Sequence, residues 1–469
     1  MRRFVPVIGR ILLLLLGAAA ASAQNAPAGI DLALARQYFE EARQRCADDG
    51  GRLWGRDLYG PMMFSDPASR TLVANRADPD GTHLQPQDGV FVGAQPADLL
   101  TANTATDWLG MNWTMLNWPP GADAVSRANL MLHELFHHAQ EGLGFPGRNA
   151  VCGHLDTLEG RVWLQLEWRA LAEALRAART GLTAGWRDDS TAQAAASAAR
   201  DAALADALLF RRARRALITG AQELEHTLEM NEGLAEYTGV KLRGTSDAES
   251  LVAIAARLPE KAASLRTYAR SFAYQSGPAW GLLLDQVADG WRTSLKLDDD
   301  LAELAGAATH ARLPADHDAL LAAARTRAGA YDGAALRAAE EERARRRDEQ
   351  LAGWRATLVD GQRLELPLGH EMNYGYDPNN VLSLDGVGTI YPTGSLHDAW
   401  GELSVDGGGM LLASDFHCAW VAAPSARAPG ADGRLVGAGW ELHLQPGWAI
   451  VDGARPGDGR LAQAEPPPR

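Results

Sequence analysis

Cysteine is scarce in this chain: Cys46, Cys152 and Cys418 are the three among 469 residues. No two of them form a Cys-x-x-Cys pair, so nothing points to a thiolate metal site. Positive charge is in deficit, with 45 Lys and Arg against 59 Asp and Glu, a formal net charge of -14. Phosphate binding needs clustered cations, so this balance argues against nucleic acid as a partner. Beyond the first two dozen residues no apolar run is long enough to span a bilayer, and no internal repeat is visible. Otherwise the composition is that of a globular protein, 46% hydrophobic and 22% charged, which excludes long disorder across the middle. At this length two or more structural units are expected.

The start of the chain has the layout of a secretory signal peptide. Arg2 and Arg3 precede the apolar run 11–16, and Ala21-Ser22-Ala23 supplies small residues for cleavage after Ala23. The run is short for a membrane span, and Arg10 interrupts its front end. The expectation is a secreted or periplasmic protein, more acidic still once these arginines are removed, with no stable membrane span after cleavage. No cysteine follows the cleavage site to take a lipid. An oxidising compartment allows a disulfide, expected between Cys46 and Cys152, which flank one predicted unit.

Hydrophobic periodicity predicts an α+β protein. A helix is expected over 31–46, then short strands at 59–64, 71–75 and 90–93, with 108–118 as the last strand of that sheet. A helix with Asp123 as N-cap should run to Glu141, ended by Gly142, Gly144 and Pro146. Helical patterning continues through 155–179, 191–217, 221–241, 251–295 and 301–328. The domains read as a signal peptide (1–23), a catalytic domain (24–330) with a helical insertion at about 155–217, and a charged connecting helix (331–360). A small all-β domain (361–455) and a disordered tail (456–469) complete the chain. Trp400, Trp420, Trp440 and Trp448 in the β-domain sit at strand spacing, which favours core positions over a sugar-binding surface.

The segment that carries chemistry is His133-Glu134-Leu135-Phe136-His137. Residues four apart share a helix face, so both imidazoles can reach one metal ion. Glu134 then lies beside the place of a metal-activated water and can accept its proton. Two histidines leave a site incomplete. A third histidine six positions after His137 is excluded, because that position is Leu143. A glutamate on a later helix is the other choice, and Asn231-Glu232-Gly233-Leu234-Ala235-Glu236-Tyr237 offers one. Glu225 and Glu229 are nearby alternatives.

His-Glu-x-x-His followed by an Asn-Glu-Gly helix resembles the gluzincins, the thermolysin and aminopeptidase N-like zinc metallopeptidases. The resemblance implies a core of a small β-sheet plus zinc-binding helices, with one Zn2+ per chain on His133, His137 and Glu232. It implies Glu134 as general base, and Glu236 and Asn231 as supports of the ligands. Tyr274-Gln275-Ser276-Gly277 is similar to the Tyr-x-Lys-Gly helix start of aminopeptidase N relatives, which implies Tyr274 as oxyanion donor; serine stands in the place of the lysine. His137 and Glu232 are much further apart than is usual in the family, which is why a helical hairpin is expected between them. The signature Gly-Ala-Met-Glu-Asn is missing; Gly110-Met111-Asn112-Trp113 has no glutamate to hold a free amino terminus. A peptide or protein substrate would add as a strand to a sheet edge expected at 109–116.

Two other readings use the same residues. Glu134-x-x-His137 and Glu223-x-x-His226 are both Glu-x-x-His pairs, which a ferritin-like di-iron bundle would complete with glutamates such as Glu159, Glu167 and Glu173. A catalytically silent zinc-binding protein is the other. His138 points away from His137 and is expected to serve packing or ligand support, and His154 and His226 read as ordinary polar residues.

Overall fold

The computed structural model describes residues 29–464 apart from 97, 98, 100, 101, 122, 370, 371, 378, 379, 385, 431 and 432. The expected signal peptide lies outside the described residues. The chain divides into two compact units that part at Glu340/Glu341, within the expected charged helix.

The first unit opens with α1 (Leu32–Asp49), capped by the Asp31 carboxylate and closed by Gly50 at φ 58°. A mixed sheet follows: β1 (Met62–Asp66), β2 (Thr71–Ala74), β3 (Gln85–Gln87), β4 (Val90–Ala94), β5 (Thr104–Trp108) and β6 (Met111–Asn117). The strand order is β3-β4-β2-β1-β6-β5, with β1 and β6 parallel and the other pairs antiparallel. Alternation gives the sheet two apolar faces. Met62, Phe64, Val73 and Leu116 join the main helical core, whereas Met63, Leu72, Trp113 and Met115 form a cluster on the other side.

Here the expected edge is corrected. Residues 108–118 are not one strand, because Leu109 (φ 54°) and Gly110 (φ 75°) turn the chain between β5 and β6. Leucine rarely takes a left-handed conformation, so the apolar run concealed a hairpin turn. β6 is therefore interior, and β5 is the edge strand beside it.

Helices make up the rest of this unit: α2 (Ala124–Gln140), α3 (Leu158–Trp186), α4 (Ser190–Leu217), α5 (Ala221–Leu228), α6 (Leu234–Leu242), α7 (Asp247–Ser264), α8 (Ala273–Val287), α9 (Trp291–Ser294), α10 (Leu301–Ala308), α11 (His317–Ala328) and the start of α12 (Gly333–Arg355). Asp123 caps α2 by accepting from Ser126 N, as expected. The hairpin α3–α4 occupies the place of the expected insertion, but it is no appendage. α3 packs along α4 and also against α7 and α8, and it buries Leu164, Leu171 and Leu175 completely. None of the three cysteines is paired; each is free and buried. Cys46 faces the core from α1, whereas Cys152 sits in a loop tied by its amide to Ala269 O, so the expected Cys46–Cys152 bridge is not formed.

The second unit is a β-sheet protein: β7 (Arg363–Pro367), β8 (Asn373–Tyr376), β9 (Leu382–Leu384), β10 (Gly388–Asp398), β11 (Gly401–Ala413), β12 (Cys418–Ala422), β13 (Arg434–Gly437), β14 (Trp440–Leu444), β15 (Trp448–Asp452) and β16 (Gly459–Gln463). Trp400 and Trp440 are core residues, and Trp420 and Trp448 are half-buried. β16 corrects the expected disordered tail: it pairs with β15 and with β7, and it buries Leu461. Its one large apolar residue, among flanking Gly, Asp and Arg, is too weak a signal to read as a strand. Among the described residues no helix is long and apolar enough to cross a membrane.

Candidate metal centre

Between α5 and α6 the helix widens into one π-helical turn, Glu229–Gly233. Such bulges re-aim side chains and recur at functional sites. This one turns the Glu232 carboxylate toward α2. There His133 and His137, one helical turn apart, present their Nε2 atoms 3.1 Å from each other. Glu232 Oε2 lies 3.4 Å from His133 Nε2 and 3.3 Å from His137 Nε2. One donor atom from each residue falls within 4.8 Å of the others, a spacing that can hold a metal ion.

Glycines let these helices approach. A Cβ on Gly277 of α8 would stand 2.6 Å from Gly233 O, and one on Gly233 would stand 3.1 Å from Gly277 Cα. α8 therefore crosses the π-turn backbone to backbone. On α6, a Cβ on Gly239 would stand 2.6 Å from Asn129 O of α2. The glycines of Asn-Glu-Gly and of Tyr-Gln-Ser-Gly are thus steric requirements of this crossing.

Each imidazole is held from behind. His133 Nδ1 lies 3.2 Å from Glu236 Oε2, which also accepts from Asn129 Nδ2 at 3.2 Å. His137 Nδ1 lies 2.8 Å from Gln140 Oε1, and Gln140 Nε2 donates to Asn231 Oδ1 at 3.1 Å. Asn231 Nδ2 in turn donates to Glu232 Oε1 at 3.1 Å and to Asn149 Oδ1 at 3.2 Å. Asn231 thus contacts Glu232 directly and His137 through Gln140.

Burial opposes charge at His133, but Glu232 and then Glu236 outweigh it and raise the imidazole pKa to about 10. Burial likewise works against ionised Glu236, yet Arg257 and then His133 hold its carboxyl down to about 2. Glu134 differs: burial dominates and its pKa rises. Its Oε2 is buried without a hydrogen-bond partner, which is costly for a carboxylate unless something else is meant to meet it. Tyr274 stacks on His133, ring centroids 5.5 Å apart and 4° from parallel. Its hydroxyl is raised well above the usual phenol range, by burial first and then by the nearby Glu232 carboxylate, so it stays protonated and remains a donor.

The other candidates lie elsewhere. Glu225 and Glu229 are engaged by arginines. Arg214 Nε and Nη2 donate to Glu225 at 2.7 and 2.9 Å, and Arg211 pairs with Glu229. Glu167 accepts from Arg211 at 3.1 Å and from Arg214 at 2.6 Å. Glu159 is held by Arg337, and exposed Glu173 by Arg176. His226 Nε2 meets Leu297 O at 2.8 Å, and His154 Nε2 meets Glu225 at 3.0 Å. Glu159, Glu167 and Glu173 of the di-iron reading are therefore engaged by arginines, and His226 by a backbone carbonyl. His138 turns to β6, its Nδ1 2.7 Å from Asn112 Oδ1.

Asn129, Gln140 and Arg257 were not foreseen. A signal for the first two exists: Asn129, His133, His137 and Gln140 stand at i, i+4, i+8 and i+11, a polar stripe along one face of the helix. Arg257 has no local signal, since it arrives from α7.

Fold and site together define an α+β protein with a His-His-Glu centre between helices. No protein-family model, curated protein or solved structure matches the chain.

Proposed function

We propose that this protein is a secreted or periplasmic zinc metallopeptidase with a gluzincin-like catalytic core. One observation carries the reading: donor atoms of His133, His137 and Glu232 lie within 4.8 Å of one another, in the same cluster of charges as buried Glu134, whose Oε2 has no hydrogen-bond partner. Two imidazoles and one carboxylate are a fitting donor set for zinc, and an orphaned carboxylate oxygen next to them suits a proton acceptor.

His133, His137 and Glu232 would hold the ion, with Glu236 and Gln140 fixing the imidazole tautomers from the far nitrogens. Bound zinc supplies Lewis acidity and acidifies water. Glu134 would take the proton of the attacking water at Oε2 and deliver it to the leaving amine nitrogen; its raised pKa suits both transfers. The Tyr274 hydroxyl would donate to the scissile carbonyl oxygen as negative charge develops there. An extended peptide would pair with the edge strand β5.

The test is metal analysis together with turnover of a peptide library. One zinc per chain is expected, and Glu134→Gln should keep it while losing several orders of magnitude in rate. A chain that takes up no zinc, or a Glu134→Gln variant that hydrolyses peptides at the wild-type rate, would refute the proposal.

A further inference from the structure

We propose that Arg257 is a positioning residue that ties the support of the metal ligand His133 to the helix that carries Tyr274. This rests on the metal-site reading above. Arg257 projects from α7, an element that contributes none of the three donors. Its Nη1 donates to Glu236 Oε1 at 2.8 Å, and its Nη2 donates to the backbone carbonyl of Tyr274. Glu236 spends its other oxygen on His133 and Asn129. One planar cation therefore reaches both the carboxylate behind the imidazole and the first turn of α8. The Tyr274 ring, carried by that turn, lies flat against the same imidazole.

The geometry calls for arginine. Its donors diverge in a fixed fork, so two acceptors on different elements are met at once; a lysine ammonium is a point charge on a flexible stem. α7 is well placed to anchor such a fork. It starts in a Ser246/Glu249 capping box and buries Leu251, Ile254 and Leu258. It packs on α3 and α8. Without the guanidinium, Glu236 would lose the group that sets its rotamer, and the Tyr274 carbonyl would lose a donor.

The experiment uses the full chain loaded with zinc, and with Co2+ as a spectroscopic substitute. Arg257→Ala should weaken zinc ten- to a hundredfold in chelator competition and shift the visible cobalt bands. In an Glu236→Gln background the same change should add less than a twofold loss, because the two residues act in series. Arg257→Lys should recover zinc affinity to within a few fold, since it keeps a cation on Glu236, while kcat stays low and KM holds because the Tyr274 carbonyl contact is gone. The lysine variant also carries the test if the alanine variant fails to fold. Wild-type zinc affinity and cobalt spectrum in Arg257→Ala, or losses that simply multiply in the double variant, would overturn the proposal. Failure of the underlying reading looks different: the wild-type chain itself would take up no zinc, or would keep it in His137→Ala.

Discussion

The backbone crossing of α8 over the Glu232 turn makes Gly277→Ala the sharpest structural test. An added methyl would stand 2.6 Å from Gly233 O, against an ordinary contact of 3.4–4 Å. The opposing atoms are backbone and cannot rotate away. Gly233 is itself confined, since a Cβ there would meet Glu229 Cγ at 3.0 Å and Gly277 Cα at 3.1 Å. The helices must therefore part by roughly 1 Å, and overpacking of this kind costs about 1–3 kcal/mol. The displacement falls on Glu232, the residue before Gly233, and on the turn carrying Tyr274, so zinc affinity should drop along with stability. Urea unfolding with and without zinc measures the first, and chelator competition the second. Gly181→Ala on α3 is the control. Its Cβ would meet Ala196 Cβ at an ordinary 3.6 Å, and the gain in helix propensity is about 0.8–1 kcal/mol. A Gly277→Ala protein as stable as wild type, with zinc affinity within twofold, would show that the helices are not in contact there.

Gln140→Leu keeps the volume behind His137 but removes the acceptor on Nδ1, so zinc should weaken ten- to a hundredfold by chelator competition; unchanged affinity would mean that Gln140 does not orient the ligand. Arg214→Met strips the main partner from fully buried Glu225 and one of two arginines from Glu167, and chemical unfolding should register a loss of about 3–5 kcal/mol. The same network sets an acid limit. Burial would raise Glu225 and Asp300, but the surrounding arginines, Arg214 foremost for Glu225 and Arg211 for Asp300, hold both below the usual range. Their contribution is thus full above the unfolded carboxylate pKa of about 4 and fades as pH falls through the lower folded values. Glu229, raised by burial, runs the other way, two groups against one. Unfolding stability should therefore fall below about pH 4, and a flat profile down to pH 3 would contradict the network.

The sequence by itself determined what is local. The helix over 124–140 followed from Asp123 as cap and the glycines after it, and the pairing of His133 with His137 followed from helical period alone. The alternation of Leu364, Leu366, Trp440 and Leu442 announced the β-rich second unit. Elements without a local signature stayed hidden. β5 is short, with Thr and Asp among its residues, and is followed by a left-handed leucine, and β16 offers a single buried leucine.

What only the tertiary structure decided is which distant groups meet. Glu225, Glu229 and Glu232 stand at i, i+4 and i+7, a spacing that would put all three on one face of a regular helix. The π-turn and the arginines of α4 are what send Glu232 to the histidines and the other two to a buried ion network. Gln140 between His137 and Asn231, and Arg257 across from α7, depend on helix crossings set by Gly233, Gly239 and Gly277. A periodic pattern fixes which face a residue occupies, but long-range packing chooses what that face will touch.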